Sequence, residues 1–584
     1  MEPLKGYLLK AGAGPVMPNN TDSDNSLASL YLIAWKVRDP EGVFHKFPIT
    51  RDDVANRVPL SLPNSVTVLS WTVEDSIPDI LEAIFTCSAI YIRDEYTVML
   101  SALFKALHES GGDAFGYHRI DVRTLQDKYP PVNPFKELQV QKVLWAKAPC
   151  IVVTGTPGIG KSLFLYYILA LRLLAQKSTV LLYRKGRCLI FHECGVYSMT
   201  LDQLETVVGL LPMETWFLVD SNEDVGPAPH FLFKSCRTTP RLIVVATSPR
   251  SERMTFREDL QSPRLWMHPF KEKELYEAMG TQVRRWKEIQ LRAFYEKFGP
   301  MAREAFVFAG IPDRYLRVIQ EKLGPASSQN LRNGIGQVPY GYFETSLSHK
   351  VLVAYPTDDS DRTEFNVAIP TRKLADLTIS RLLEEENKQE ARAICTLFLL
   401  NQKTRAIAGH LLESFALRVF PDGGQWGMTK MDRTDAPPKN SHWKRNPAGE
   451  EHVLHIGHKG VFLQILQDDP DALASGTFVP VGYRYFKKDS PPPQEIGFYT
   501  PVAANQPTFG AVARVNDAAK PFVIFQMTCA KTHKLNSIGL NWLGQGKVDV
   551  IVVTSWDGGE DIEVPEQIAD KVADVYRLVL FPRP

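Results

Sequence analysis

The residues whose types and spacing carry the clearest chemistry are Gly155-Thr156-Pro157-Gly158-Ile159-Gly160-Lys161-Ser162, which fill every fixed position of G-x-x-x-x-G-K-[ST]. An apolar run, residues 150–154, leads into them, and a nearly continuous apolar stretch, residues 163–175, follows. Strand, glycine-rich loop and helix is the context in which successive backbone N–H groups converge on an anion, reinforced by the positive end of the helix. In such a loop Lys161 would reach the β- and γ-phosphates, and Ser162 would hold Mg²⁺. The stretch therefore predicts a site for ATP or GTP with Mg²⁺. Nothing in the sequence separates the two bases.

Two further strand ends would bring groups to the same place, because ligands of an open α/β sheet sit beyond the carboxyl ends of its strands. Trp216-Phe217-Leu218-Val219 ends in Asp220, as a strand carrying a Mg²⁺-site carboxylate does, which would hold the ion through water or bind Ser162; the same Asp could instead cap a turn. Residues 242–246 end in Thr247-Ser248-Pro249, so Ser248 suits either a polar contact to the γ-phosphate or a Ser-Pro turn. Hydrolysis needs a carboxylate that orients water. Ser221 stands directly after Asp220, which leaves Glu223 and Asp224 as the nearest candidates and favours binding over fast turnover. Arg250 and Arg253 would neutralise developing phosphate charge or else lie on the surface, and Arg314 is open to the same two readings, in a helical lid or at a surface helix start.

These residues need elements to hold them. At 584 residues the chain is long enough for three or four domains, on the order of one per 150 residues. A hydrophobic content of 44%, a charge content of 23% and a net charge of +1 are those of a globular, soluble protein with no global attraction to nucleic acid or membrane. Seven scattered cysteines, without a C-x-x-C pair, argue against a zinc knuckle and a disulfide framework and suit a reducing compartment. Residues 1–16 hold no apolar core of signal-peptide length, and the longest apolar run, 163–175, is too short for a transmembrane helix, so an intracellular, soluble chain is expected. The fold class read from the pattern is multidomain α/β. Residues 1–28 form an irregular lead, 29–95 a small α+β module with strands near 30–35, 66–71 and 89–92, and 96–329 the nucleotide domain with a helical lid. Residues 180–183 and 188–191 would pair as a hairpin. Residues 330–400 connect, with strands at 350–354 and 364–369 and a helix over 371–400; residues 401–584 form the last domain. There His452, His455 and His458 are spaced to share one face only on a helix, whereas their surroundings read as strand and turn.

The last domain places Glu413 in a helix, then residues 507–512, then the strand Phe522-Val523-Ile524-Phe525-Gln526-Met527-Thr528 running into Cys529-Ala530-Lys531-Thr532-His533-Lys534. A helical Glu followed by two adjacent strands is the skeleton of a metal-dependent nuclease. Together with residues 155–162, 218–220, 245–250, 310–314 and 405–413, this order resembles the Crinkler and retrotransposon-hot-spot proteins over about residues 130 to 584. The resemblance implies a P-loop NTPase joined to a restriction-endonuclease-like domain of the PD-(D/E)xK type. It also implies an effector directed to a host nucleus that acts on DNA or on host proteins there, with residues 29–95 in the place of a header. Self-association is a further implication, since P-loop proteins of this kind often complete their sites between subunits. The chain departs from the nuclease pattern at Gly510, where Asp is wanted, and at Gln526-Met527-Thr528, where (D/E)-x-K is wanted. Glu413 alone is too little fixed charge for an octahedral Mg²⁺, so the expectation is a nuclease-shaped domain that is dead or altered in catalysis. Gln526, Thr528, Lys531 and Lys534 would touch phosphates there or serve as ordinary strand-edge polar residues. Two functions follow: an NTPase that controls a DNA-directed effector domain, or a nucleotide-dependent switch whose last domain binds a partner without cleaving it.

Overall fold

The structure is a computed structural model, and it describes residues 2–18, 22–49, 62–71, 87–111, 129–136, 150–236, 241–254, 256, 262–323, 337–343, 348–385, 396, 398–435, 440–457, 460–465, 484–486, 491–501, 509–544 and 546–581. They form a mixed α/β structure that divides into two compact units. The first comprises Met1–Lys322 and Tyr340–Pro370, the second Leu323–Pro339 and Thr371–Pro584. Among the described residues no helix is long and apolar enough to cross a membrane.

The first unit is built on an eight-stranded sheet. Its five parallel strands lie in the order Arg264–Trp266, Cys150–Thr154, Leu242–Thr247, Trp216–Ser221, Thr179–Arg184. These strands are apolar along their length because both faces are covered. The helix Lys161–Leu174 and the helix Asp94–Gly111 cover one face, and Leu201–Val207 and His230–Cys236 cover the other. Thr179–Arg184 turns back antiparallel into Arg187–His192, the hairpin expected from the sequence. The helices Glu272–Met279, Glu288–Phe298, Ala302–Phe308 and Pro312–Leu323 follow the sheet, and a two-stranded ribbon, Val353–Pro356 with Phe365–Ala368, follows them.

Three expectations for the N-terminal part differ from what is observed. Residues 1–28 are not an irregular lead: they contain the helices Glu2–Lys10 and Ser23–Tyr31 (which runs on to 31) and the short strand Gly14–Pro15, which extends the main sheet. The turn-forming residues before the second helix cap it, Asp22 accepting a hydrogen bond from the Asn25 N–H. The apolar run at 30–35 is helical, ending in a π-helical turn, Leu32–Val37; a short apolar run does not distinguish strand from helix by itself. Finally, Leu30, Trp35, Phe44, Ile90 and Tyr96 share one hydrophobic core with Ile151, Phe164 and Leu218, so the segment expected as a separate 29–95 module packs into the main unit. The sequence also reads as helical over 76–85 and over 135–146; the first of these stretches and most of the second lie outside the described residues.

In the second unit a nine-stranded sheet has three parallel strands at its centre, Val572–Phe581, Val548–Ser555 and Phe522–Thr528. The helix Arg405–Val419 packs on one face, with Phe420 against Phe525 and Phe415 against Phe581. On the other face Ile524, Val550, Val552 and Val575 pack with Trp443, Ile562 and Val564 of a four-stranded sheet. The expected 371–400 helix is observed as Arg372–Glu385; residues 386–395 lie outside the described set.

Candidate functional site

The loop between Cys150–Thr154 and Lys161–Leu174 has the backbone its glycines allow. Gly158 (φ 79°) and Gly160 (φ 92°) lie in the left-handed region. A Cβ at Gly158 would come within 2.8 Å of Arg303 Cβ, and one at Gly160 within 2.5 Å of the Tyr96 hydroxyl, so bulk is excluded at both positions as well as strain. Gly160 is the N-cap of the helix, which leaves the helix N-terminus facing the loop.

Lys161 is buried, and its ammonium donates to the carbonyls of Gly155 (2.9 Å) and Thr156 (2.8 Å). Burial, with Arg303 and Arg253 nearby, pushes its pKa down to about 7, while the Asp220 carboxylate pulls the other way. Ser162 Oγ donates to Asp220 Oδ1 at 2.8 Å, so the two groups assigned to a metal are brought together across 58 residues of sequence. Burial raises the Asp220 carboxyl, and hydrogen bonds from Ser162 and Asn222 and the Lys161 charge oppose it. Strand order explains the meeting. Leu242–Thr247 lies between the loop strand and the Asp220 strand, in parallel register with both, and its end fills the gap: Thr154 Oγ1 donates to the Thr247 carbonyl, and Thr247 Oγ1 donates to the Ser221 carbonyl. A hydroxyl beside a buried carboxylate, next to a lysine and a helix N-terminus, is a donor set that fits Mg²⁺ completed by phosphate and water. Ser162 and Asp220 would hold the ion, which there neutralises phosphate charge.

The remaining residues singled out in the sequence divide. Ser248 follows the interposed strand directly, and its carbonyl accepts from Arg250 N–H. Glu223 is 76% exposed and pairs with Arg250 at 3.2 Å and, more loosely, with Arg253 at 3.8 Å, so it is engaged by cations. Ser221 Oγ donates to the Gly226 carbonyl. Arg253 is buried, donates to the Ser221 carbonyl, and bears on Lys161; burial lowers its pKa. Arg314 is exposed on Pro312–Leu323. The helical-segment cation that reaches the loop is instead Arg303, against Gly158. No motif marks Arg303.

Sequence reasoning also missed what holds the loop. Arg93, 1% exposed, spends all five N–H donors: two on the Glu274 carboxylate, one on the Ile159 carbonyl inside the loop, and one each on the His268 and Pro269 carbonyls. Tyr96 OH donates to the Gly160 carbonyl. Thr156 directs its hydroxyl away from Lys161: Oγ1 accepts from Ala354 N–H at 3.0 Å and donates to the Ala354 carbonyl at 3.4 Å. An Arg and a Glu 181 residues apart leave no local pattern.

In the second unit the helix Arg405–Val419 is fixed at its start by Arg405, which donates twice to the Cys529 carbonyl and pairs with Asp557 at 2.8 Å. This brings Glu413 to the sheet. A Cβ at Gly510 would lie 3.4 Å from Glu413 Oε1 but only 2.5 Å from Met527 Sδ. Glu413 and Gly510 therefore meet as the sequence order suggests, with Met527 filling the room an Asp would need. Strand alternation sends Gln526 and Thr528 to the opposite face, that of Ile524, so they do not join Glu413. Thr528 Oγ1 instead accepts from Ala530 N–H, and Lys531 is exposed in the turn beyond, its carbonyl accepting from Glu560 and Asp561. Burial raises the Glu413 carboxyl; Arg372, 4.0 Å away, counters this and Asp376 adds to it. His452 pairs with Glu450 and His455 with Gln425 on the strand Glu451–Gly457; His458 lies outside the described residues. Among the described residues no cluster of three metal-ligating side chains occurs. Comparison with protein-family models gives no match, and comparison with curated proteins gives none.

Proposed function

We propose that the chain binds ATP or GTP with Mg²⁺ at Gly155 to Ser162 and Asp220, hydrolyses it, and uses the nucleotide to control the C-terminal unit. The observation that carries this is the 2.8 Å bond from Ser162 to Asp220 beside a buried, unusually acidic Lys161 at a helix N-terminus. A lysine buried among cations costs free energy unless an anion is meant to arrive, and phosphate is the anion that a glycine-rich loop with free N–H groups selects. The proposal extends to a P-loop NTPase core with a helical lid that contributes Arg303, and to a restriction-endonuclease-like last unit that acts on or near DNA without cutting it.

One observation favours a slow switch over a fast hydrolase. Among the described residues, Asp220 is the carboxylate whose charge bears on Lys161, and Glu223, the next acidic side chain in sequence, is paired with Arg250. Water would lack the base that rapid turnover requires. The test is phosphate release by the purified chain with Mg²⁺ and either nucleotide, wild type against Lys161→Ala. The expected result is slow release that falls on the order of a hundredfold or more in the variant. Equal release from both would remove the NTPase assignment.

A further inference from the structure

Thr156 joins two sets of contacts. Its carbonyl holds the Lys161 ammonium at 2.8 Å, and its hydroxyl holds both backbone groups of Ala354. Ala354 belongs to Val353–Pro356, which pairs on one side with Phe365–Ala368. The free side of a two-stranded ribbon presents N–H and C=O groups that need partners. For Ala354 the loop hydroxyl is that partner. The other strand and the turn are anchored elsewhere. Phe365 stacks on Trp266 with ring centroids 4.1 Å apart, the Arg362 carbonyl accepts from Trp266 N–H at 2.8 Å, and buried Arg362 makes a two-pronged pair with buried Glu95 at 3.1 and 3.2 Å. The ribbon is thus fixed to the sheet on one side and tied to the glycine-rich loop on the other. Pro370 closes this segment of the first unit, and the helix Arg372–Glu385 follows it.

We infer that the ribbon, residues 353–368, reads the state of the glycine-rich loop through Thr156. The inference rests on the nucleotide site proposed above. Lys161 spends two of its three ammonium N–H donors on the Gly155 and Thr156 carbonyls, so a phosphate that takes more than one of them draws the ammonium off these carbonyls. The Thr156 carbonyl then loses the cation that holds it. The Thr156 hydroxyl moves with it, and Ala354 N–H loses its acceptor. A ligand shifts a conformation only through contacts that differ between two states, and these are the contacts that differ.

Residue-resolved amide hydrogen exchange on the full chain tests this, with Mg²⁺ and ATPγS or GTPγS, and with calorimetry on the same samples to measure binding. The expected result is exchange at the Ala354 amide about tenfold faster with nucleotide bound, while the Trp266 amide, bonded to Arg362, is unchanged. Thr156→Ser, which keeps a hydroxyl, retains the nucleotide effect. Thr156→Val exchanges fast at Ala354 in both states. Binding by calorimetry with Ala354 exchange unchanged or slower in the wild type overturns the inference and leaves the nucleotide site standing. Absence of binding by either nucleotide overturns the site and the inference together.

Discussion

The two units each contain a place where a carboxylate meets a strand end, and they differ in what surrounds it. At Asp220 the neighbours are a hydroxyl, a buried lysine, a helix N-terminus and glycines that keep the backbone open. At Glu413 the neighbours are a thioether against Gly510 and the Arg372 guanidinium. Both arrangements hold a carboxylate, buried at Asp220 and half-buried at Glu413, but only the first sets a lysine and a helix N-terminus beside it. A motif survives as chemistry when its spacing keeps every partner, and becomes packing when one partner's volume is taken over by an apolar side chain.

Several changes would break or sharpen this contrast. The largest effect is expected on the helix Ala302–Phe308. Arg303→Ala should weaken nucleotide binding by about tenfold or more, the loss of one charge-assisted bond, whereas Arg314→Ala should change it less than about twofold, as titration calorimetry would record. Equal effects would erase the distinction between a cation at the loop and one in solvent. Gly510→Ala should destabilise the second unit by about 1–3 kcal/mol through collision with Met527, and Gly510→Ala combined with Met527→Ala should behave better than the sum of the two, by chemical denaturation. Additive losses would mean that Met527 does not fill that space.

A subtler effect concerns protons. The Lys161 pKa of about 7 means that above neutral pH the free protein holds this lysine largely uncharged, although its ordinary value is 10.5. A bound phosphate restores the charge, so binding takes up a proton. Affinity should therefore fall as pH rises from about 7, approaching tenfold per unit, and calorimetry at pH 8.5 in buffers of different ionisation heat should report uptake of about one proton. No uptake would place Lys161 outside the phosphate contact. The smallest effect is expected at Glu413: incubation with DNA and Mg²⁺ or Mn²⁺ should give no cleavage in wild type or in Glu413→Ala. Cleavage that the variant loses would make the two sites alike after all.

The sequence by itself determined the local matters. The glycine-rich loop, the strand before it, the helix after it and the 179–192 hairpin follow from apolar runs and glycine positions, which act over a few residues. It also named Ser162 and Asp220, because each ends or begins an element with a strong pattern. Tertiary structure alone decided what lay between distant segments. It brought Arg93 to Glu274 and Ile159, and Thr156 to Ala354. It chose Arg303 over Arg314 for the loop and drew the N-terminal segment into the main core. It also turned Met527, rather than Gln526, toward Glu413. These depend on helix angle, strand register and which face a period-two side chain takes, and a shift of one residue reverses such a choice without changing the composition on which a sequence reading relies.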